Sequence, residues 1–113
     1  MPTHLQDFSL KYYLHVKCYL LYYLSVNHEV RVKRKVERSL RKLPGDVQKL
    51  FFLLVADLQA SGPVQKAWNN FSVLGKDQYH CHLNYRYVAC WTCRKNEILI
   101  EVYYAGSREK APY

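Results

Sequence analysis

The sequence predicts an α+β fold in the order β-α-α-β-β-β: two N-terminal helices packed on a small, mostly antiparallel, twisted sheet. Three observations predict it. Residues 29–33 alternate charge with valine, residues 36–58 repeat apolar side chains with a helical period, and residues 79–104 hold three β-rich runs separated by turn residues. A chain of 113 residues holds one core and is too short for two.

Each element has its own signal. In the first strand Val30 and Val32 alternate with Glu29, Arg31 and Lys33, as on an edge strand with one buried face. Val36, Leu40 and Leu43 then fall at i, i+4 and i+7, with Lys35, Arg38, Arg41 and Lys42 on the other face, which predicts a short amphipathic helix. Pro44-Gly45 stops it, and Asp46 is placed to cap the next helix by accepting backbone N–H bonds. Val47, Leu50, Phe51, Leu54, Val55 and Leu58 form the longest helical stripe in the chain, which Ser61-Gly62-Pro63 ends. Residues 64–77 read as a long connection with two short turns, pinned to the core by Trp68 and Phe71 and closed by Gly75-Lys76-Asp77. The second strand, Tyr79–Leu83, turns Tyr79, Cys81 and Leu83 to the core. Arg86–Trp91 is the third, Arg94-Lys95-Asn96 a hairpin turn, and Glu97–Tyr104 the fourth, with Ile98, Ile100, Val102 and Tyr104 on one face. Gly106 breaks that strand, and a basic tail follows.

Half the residues are apolar and 15% aromatic, so the chain reads as globular rather than disordered. The net charge of +8 points to a polyanionic partner, because Lys and Arg gain free energy by releasing counterions from phosphates. An acidic protein or an anionic membrane fits the same number. The apolar run Tyr12–Leu24 is interrupted by His15 and Lys17 and lacks a small-residue cleavage site, so it reads neither as a membrane span nor as a secretory signal. The four cysteines, Cys18, Cys81, Cys90 and Cys93, are accordingly read as reduced thiols of a cytoplasmic protein.

Chemistry concentrates in the C-terminal half. On a strand His80 and His82 share a face. The next strand offers Arg86, and the tail offers Arg108, Lys110 and Tyr113. Phosphodiester cleavage in RNA needs a base for the 2′-OH proton, an acid for the leaving 5′-oxygen and cations for the developing charge. Histidine and tyrosine supply the first two, and arginine holds phosphate through two N–H bonds. Pattern alone equally fits ordinary histidines on a solvated sheet face. Cys90-Trp91-Thr92-Cys93 is a CxxC, but it ends a strand instead of opening a helix, as a redox motif does, and one CxxC is half of a structural zinc site. A small zinc or redox protein nevertheless stays open as an alternative. The cations Arg38, Arg41 and Lys42 fit either a solvated helix face or contact with RNA phosphates or an acidic protein segment.

Arg41-Lys42-Leu43-Pro44 before the long helix, the run Tyr79-His80-Cys81-His82-Leu83, and the ending Gly106-Ser107-Arg108-Glu109-Lys110-Ala111-Pro112-Tyr113 together resemble the RelE/ParE toxin superfamily. The resemblance is to its RelE-like subgroup of cytotoxic translational repressors, and it covers residues 26–113. It implies the toxin of a type II toxin–antitoxin system: an endoribonuclease needing no metal or other cofactor, which cuts translated mRNA at the ribosome. It also implies a cognate antitoxin that holds the toxin inactive, contact with operator DNA only through the antitoxin complex, and no membrane partner. Many relatives carry basic residues at alternate positions of the strand after the helices, where this chain has His80 and His82, and arginines at the places of Arg86 and Arg108. A tyrosine near the C-terminus matches Tyr113. Histidines thus replace the more usual Lys and Arg, and the spacing from arginine to tyrosine in the tail is compressed. At these positions His82 or Tyr113 is expected to be the base, His80 the acid, and Arg86 and Arg108 the phosphate clamps, and the basic residues Arg38, Arg41, Lys42 and Lys110 are expected RNA contacts. Gyrase-inhibiting members share the fold without RNA-cutting residues, so a catalytically inactive homologue that only binds antitoxin and DNA is the alternative. Residues 1–25 have no counterpart in the family pattern. They are expected to be an N-terminal extension, either upstream of the true start or an added helix that covers an apolar patch.

Overall fold

The computed structural model describes residues 28–113, so the expectations for residues 1–25 and for Cys18 lie outside the described residues. Strand β1 is Glu29–Val32, helix α1 Arg34–Leu40 and helix α2 Gly45–Ser61. They are followed by β2 (Ser72–Gly75), β3 (Gln78–His82), β4 (Tyr87–Thr92) and β5 (Leu99–Ser107), and by a 3-10 turn, Arg108–Lys110. The five strands form one sheet in the order β1-β5-β4-β3-β2, with β1 parallel to β5 and every other pairing antiparallel. The predicted α+β class and element order hold, with one strand added.

Both helices pack on one face of the sheet. Val36 and Leu40 of α1, and Val47, Phe51, Leu54, Val55 and Leu58 of α2, join Val30, Val32, Cys81, Leu83, Ala89, Trp91, Ile100 and Val102 in a single core. Burying a side chain the size of Phe51 or Leu54 stabilises the fold by about 1.5–3 kcal/mol. Helix α2 starts two residues earlier than the Asp46 cap implies. Pro44, at φ −56°, is the N-cap, because its ring already holds a helix-compatible φ. Asp46 therefore lies inside the first turn, where its Oδ1 accepts the Val47 N–H at 3.0 Å. At the other end Gly62 takes φ +91° and donates its N–H to the Leu58 carbonyl, a left-handed conformation that favours glycine.

Two differences from the sequence reading shape the C-terminal half. The first is β2, read as part of a connection. Ser72, Val73 and Gly75 are exposed, so this outer strand carries no apolar alternation to announce it. The second is a β-bulge at Tyr103. Cys90 pairs with Tyr104 but Trp91 with Val102, so Tyr103 has no partner residue on β4. The extra residue reverses the phase of the strand. Ile100 and Val102 face the helices before it and Ala105 does after it, while Tyr104 changes side. Ile98, predicted inside this strand, precedes it and is exposed, and Gly106, predicted to end it, lies within it.

Candidate functional site

The face of the sheet turned away from the helices carries a row of four residues. Ser72 pairs with His80, His80 with Cys90, and Cys90 with Tyr104. Residues directly opposite one another on neighbouring strands share a face. In the next row His82 pairs with Val88 and Val88 with Gly106. A Cβ on Gly106 would stand 3.0 Å from the Tyr104 hydroxyl. This glycine leaves room for the Tyr104 ring to lean across it and donate a hydrogen bond to the Ser107 carbonyl.

His80 is the centre of the cluster. Its Nδ1 lies 2.9 Å from Ser72 Oγ, its ring is 5.7 Å from that of His82, and the Tyr113 ring rests on it at 4.5 Å. Only 8% of His80 is exposed, whereas His82 is half-buried and Tyr113 exposed. Burial, and then the neighbouring His82, lower the His80 pKa, opposed by a hydrogen bond to the Ser72 backbone. Partial burial and the Cys90 thiol raise the Tyr113 pKa, opposed by Arg108. At neutral pH His80 is therefore an uncharged imidazole and Tyr113 a protonated phenol. A lowered pKa makes the protonated imidazole costlier, which weighs against the acid role expected of His80, because an acid must hold its proton at the working pH.

The arginines come together beside this cluster. In the loop between β3 and β4, Asn84 Oδ1 accepts the N–H groups of Arg86 at 2.8 Å and Tyr87 at 3.0 Å, an Asx-type turn. The tail docks on this loop through the Arg108 N–H, which donates to the Arg86 carbonyl at 2.8 Å. Ser107 Oγ accepts the Glu109 N–H and so caps the 3-10 turn. Between loop and tail lies a pocket of about 320 Å³ lined by Tyr85, Arg86, Tyr87, Ser107, Arg108 and Glu109.

Of the predicted site residues, the structure thus brings His80, His82 and Tyr113 together, with Arg86 and Arg108 at the adjoining loop and tail. Lys110 is exposed in the 3-10 turn of that tail. Arg38, Arg41 and Lys42 are exposed as well, but on α1 and its C-terminal end, in the helix layer on the other side of the sheet. Sequence reasoning missed Ser72, since a hydrogen bond between strands leaves no local pattern. It also missed Tyr85, for which a signal existed: a tyrosine in a tight Asn-Tyr-Arg turn has no core to enter.

The CxxC does not form a dithiol site. Cys93 joins the core beneath the helices, while Cys90 lies in the row with His80 on the opposite face. Burial pushes the Cys90 thiol up to about 12 and also raises that of Cys93. A redox cysteine needs its thiolate at neutral pH, and among the described residues no three His, Cys, Asp or Glu side chains come together to hold a metal ion, so the zinc or redox reading loses its support.

No protein-family model and no curated protein matches the chain. Solved structures do. Archaeal RelE from the RelE–RelB complex of Pyrococcus horikoshii OT3 superimposes with a TM-score of 0.61 at 16% identity, covering 75% of this chain and 99% of that one. A double arginine-to-alanine variant of the E. coli toxin RelE in the free state gives 0.60 at 17% identity, covering 75% of this chain and 87% of that one. The fold is that of RelE. Within this RelE-like fold the histidine pair lies on β3, the second strand after the helices and not the first, because β2 precedes it, and the tail sets Tyr113 against His80. Among the described residues no helix is long and apolar enough to cross a membrane.

Proposed function

We propose that the chain is the toxin of a type II toxin–antitoxin pair and an endoribonuclease that cuts translated mRNA at the ribosome. The observation that carries this is the gathering of His80, His82 and Tyr113 on the open face of a RelE-like sheet, beside Arg86 and Arg108. His82, the more exposed imidazole, takes the 2′-OH proton. The freed oxygen attacks phosphorus and expels the 5′-oxygen, which Tyr113 protonates, leaving a 2′,3′-cyclic phosphate and a 5′-hydroxyl. Arg86 and Arg108 hold the phosphate as charge develops on it. His80, neutral and nearly covered, is a positioning residue that fixes the Tyr113 ring. The reaction draws on these side chains alone and calls for no metal or other cofactor. The proposed partners are mRNA on the ribosome and a cognate antitoxin, with operator DNA reached only through the antitoxin complex. One structural neighbour is itself a RelE–RelB complex, and the +8 charge suits an acidic antitoxin segment as well as RNA.

Induced expression of the full chain in a bacterial host, following growth and mRNA 5′-ends, tests this reading. Growth arrest with new ends inside translated codons is expected. A His82→Ala, Tyr113→Ala double variant that folds is expected to lose both effects. Arg108→Ala with undiminished cleavage would remove the clamp assignment. Normal growth and intact mRNA, from folded and soluble wild-type chain, would refute the ribonuclease and leave an inactive homologue that binds antitoxin and DNA.

A further inference from the structure

One large aromatic side chain near the site has no packing role. Tyr85 is 74% exposed, the most exposed of the large apolar side chains among the described residues. It is nevertheless not on a loose loop. The Asn84 side chain clasps both following N–H groups, and the N–H groups of Leu83 and Asn84 both donate to the Tyr87 carbonyl. The Arg108 guanidinium stands over the Tyr85 ring at 5.1 Å from its centroid, within cation–π range. Arg108 in turn is anchored through its backbone to Arg86. A hydrogen-bonded loop therefore holds a ring out into water at the pocket described above, with the Arg108 guanidinium over it and Arg86 lining the same pocket.

We propose that Tyr85 is a stacking platform for one nucleobase of single-stranded RNA, whose adjoining phosphate sits at Arg86 and Arg108. The inference rests on the ribonuclease reading and adds a substrate-binding residue to it. Three features favour a nucleotide over a bare anion. An exposed ring offers a π face, which every base can use. The pocket is at the small end of the range for sites that hold a ligand of nucleotide size. Its remaining charged wall is Glu109, which repels phosphate and accepts hydrogen bonds from an amino group or a ribose hydroxyl. The Tyr85 hydroxyl is not needed for stacking.

The test uses the full chain and a short single-stranded RNA, 2′-O-methylated throughout so that it cannot be cut, with binding read by fluorescence anisotropy. Tyr85→Ala is expected to weaken binding roughly 5- to 100-fold, the range of a single base–aromatic stack, while Tyr85→Phe stays within about twofold of wild type. One abasic position in the RNA is expected to weaken wild-type binding similarly and to add little to the Tyr85→Ala loss, because ring and base form one contact. Wild-type affinity in Tyr85→Ala would overturn the proposal. Equal losses in Tyr85→Phe and Tyr85→Ala would also overturn it, as would a wild-type chain that does not bind the RNA. Growth arrest and mRNA cleavage are measured alongside. If they persist while Tyr85 proves irrelevant, the stacking proposal falls and the ribonuclease stands; if both are absent, the ribonuclease itself falls.

Discussion

Each of two tryptophans donates its indole N–H to a distant acceptor, and the same substitution at both separates burial from hydrogen bonding. Trp91 on β4 is fully buried, stacked against Tyr79 and Phe71 at 6.2 Å each. Its Nε1 donates to the Pro63 carbonyl at 3.0 Å and ties β4 to the segment after α2. Trp91→Phe removes part of one ring and leaves a void on the order of 40 Å³, worth about 1 kcal/mol. It also strips the Pro63 carbonyl of this donor, which costs about 1–2 kcal/mol. The expected loss of about 2–3 kcal/mol lowers Tm by roughly 10–20 °C in a domain of this size. Trp68 is half-buried, and its Nε1 donates to Asp57 Oδ2 at 2.8 Å where water can take over. Trp68→Phe is therefore expected to cost under about 1 kcal/mol. Urea unfolding followed by far-ultraviolet circular dichroism reads both. Equal shifts of the two midpoints at unchanged slope, or a Trp91→Phe loss below about 1 kcal/mol, would refute the packing argument.

Two more predictions concern the open face. Because burial and His82 lower the His80 pKa, the folded chain resists protonation there. Above the ordinary histidine value of about 6.5 the stability due to neutral His80 is fully present. As pH falls below it the unfolded chain binds the proton more readily, and that stability is lost. Urea midpoints between pH 7.5 and pH 5.5 are expected to fall more steeply in wild type than in His80→Gln with His82 retained, and identical slopes would contradict this. At Gly106, an added Cβ meets a Tyr104 ring tethered through its hydroxyl to Ser107. Gly106→Ala is expected to cost about 1–3 kcal/mol by thermal unfolding, and less in a Tyr104→Leu background; an equal cost in both would show that the ring is not the obstacle.

What was legible in the sequence follows from where burial is one-sided. Strand β1 and helix α2 each bury one face, and in β3 Tyr79, Cys81 and Leu83 alternate with two histidines, so a period of 2 or 3.6 is written into residues 29–33, 47–58 and 79–83. Strand β2 is a short outer strand whose stability comes from pairing with β3, and Ser72-Val73-Leu74-Gly75 carries no such period. Strand β4 is buried through Val88, Ala89, Cys90 and Trp91 and shows a continuous apolar run with no facing information. In β5 the bulge breaks the period at Tyr103, so extrapolation from Ile100 and Val102 sent Tyr104 to the wrong face. The site divides the same way. The i, i+2 spacing exposed the histidine pair, while the contacts of His80 with Ser72 and Tyr113 are made across the fold and have no sequence signature.

The two groups of cations named as RNA contacts therefore have different physical standing. Arg86, Arg108 and Lys110 belong to the loop and tail beside the histidines. Arg38, Arg41 and Lys42 belong to the helix layer beneath the sheet. A helix layer is itself about 10 Å thick, and at physiological ionic strength the Debye length is about 8 Å. Exposed charges beyond such a layer contribute little to the potential at the open face. A short RNA seated at the histidines is accordingly expected to bind an Arg38→Gln, Arg41→Gln, Lys42→Gln variant within about twofold of wild type, at a nearly unchanged salt slope. Arg86→Gln with Arg108→Gln is expected to weaken it and to reduce that slope by about 1.4, about 0.7 for each arginine withdrawn from a phosphate of a single strand. If the helix triple variant instead lost affinity as strongly as the loop-and-tail pair, the short RNA would have to reach the helix layer, and the assignment of its path to the open face would be wrong. With the expected result, the α1 cations are left for a different polyanion, and ribosomal RNA and the acidic antitoxin are the two that the proposed function supplies.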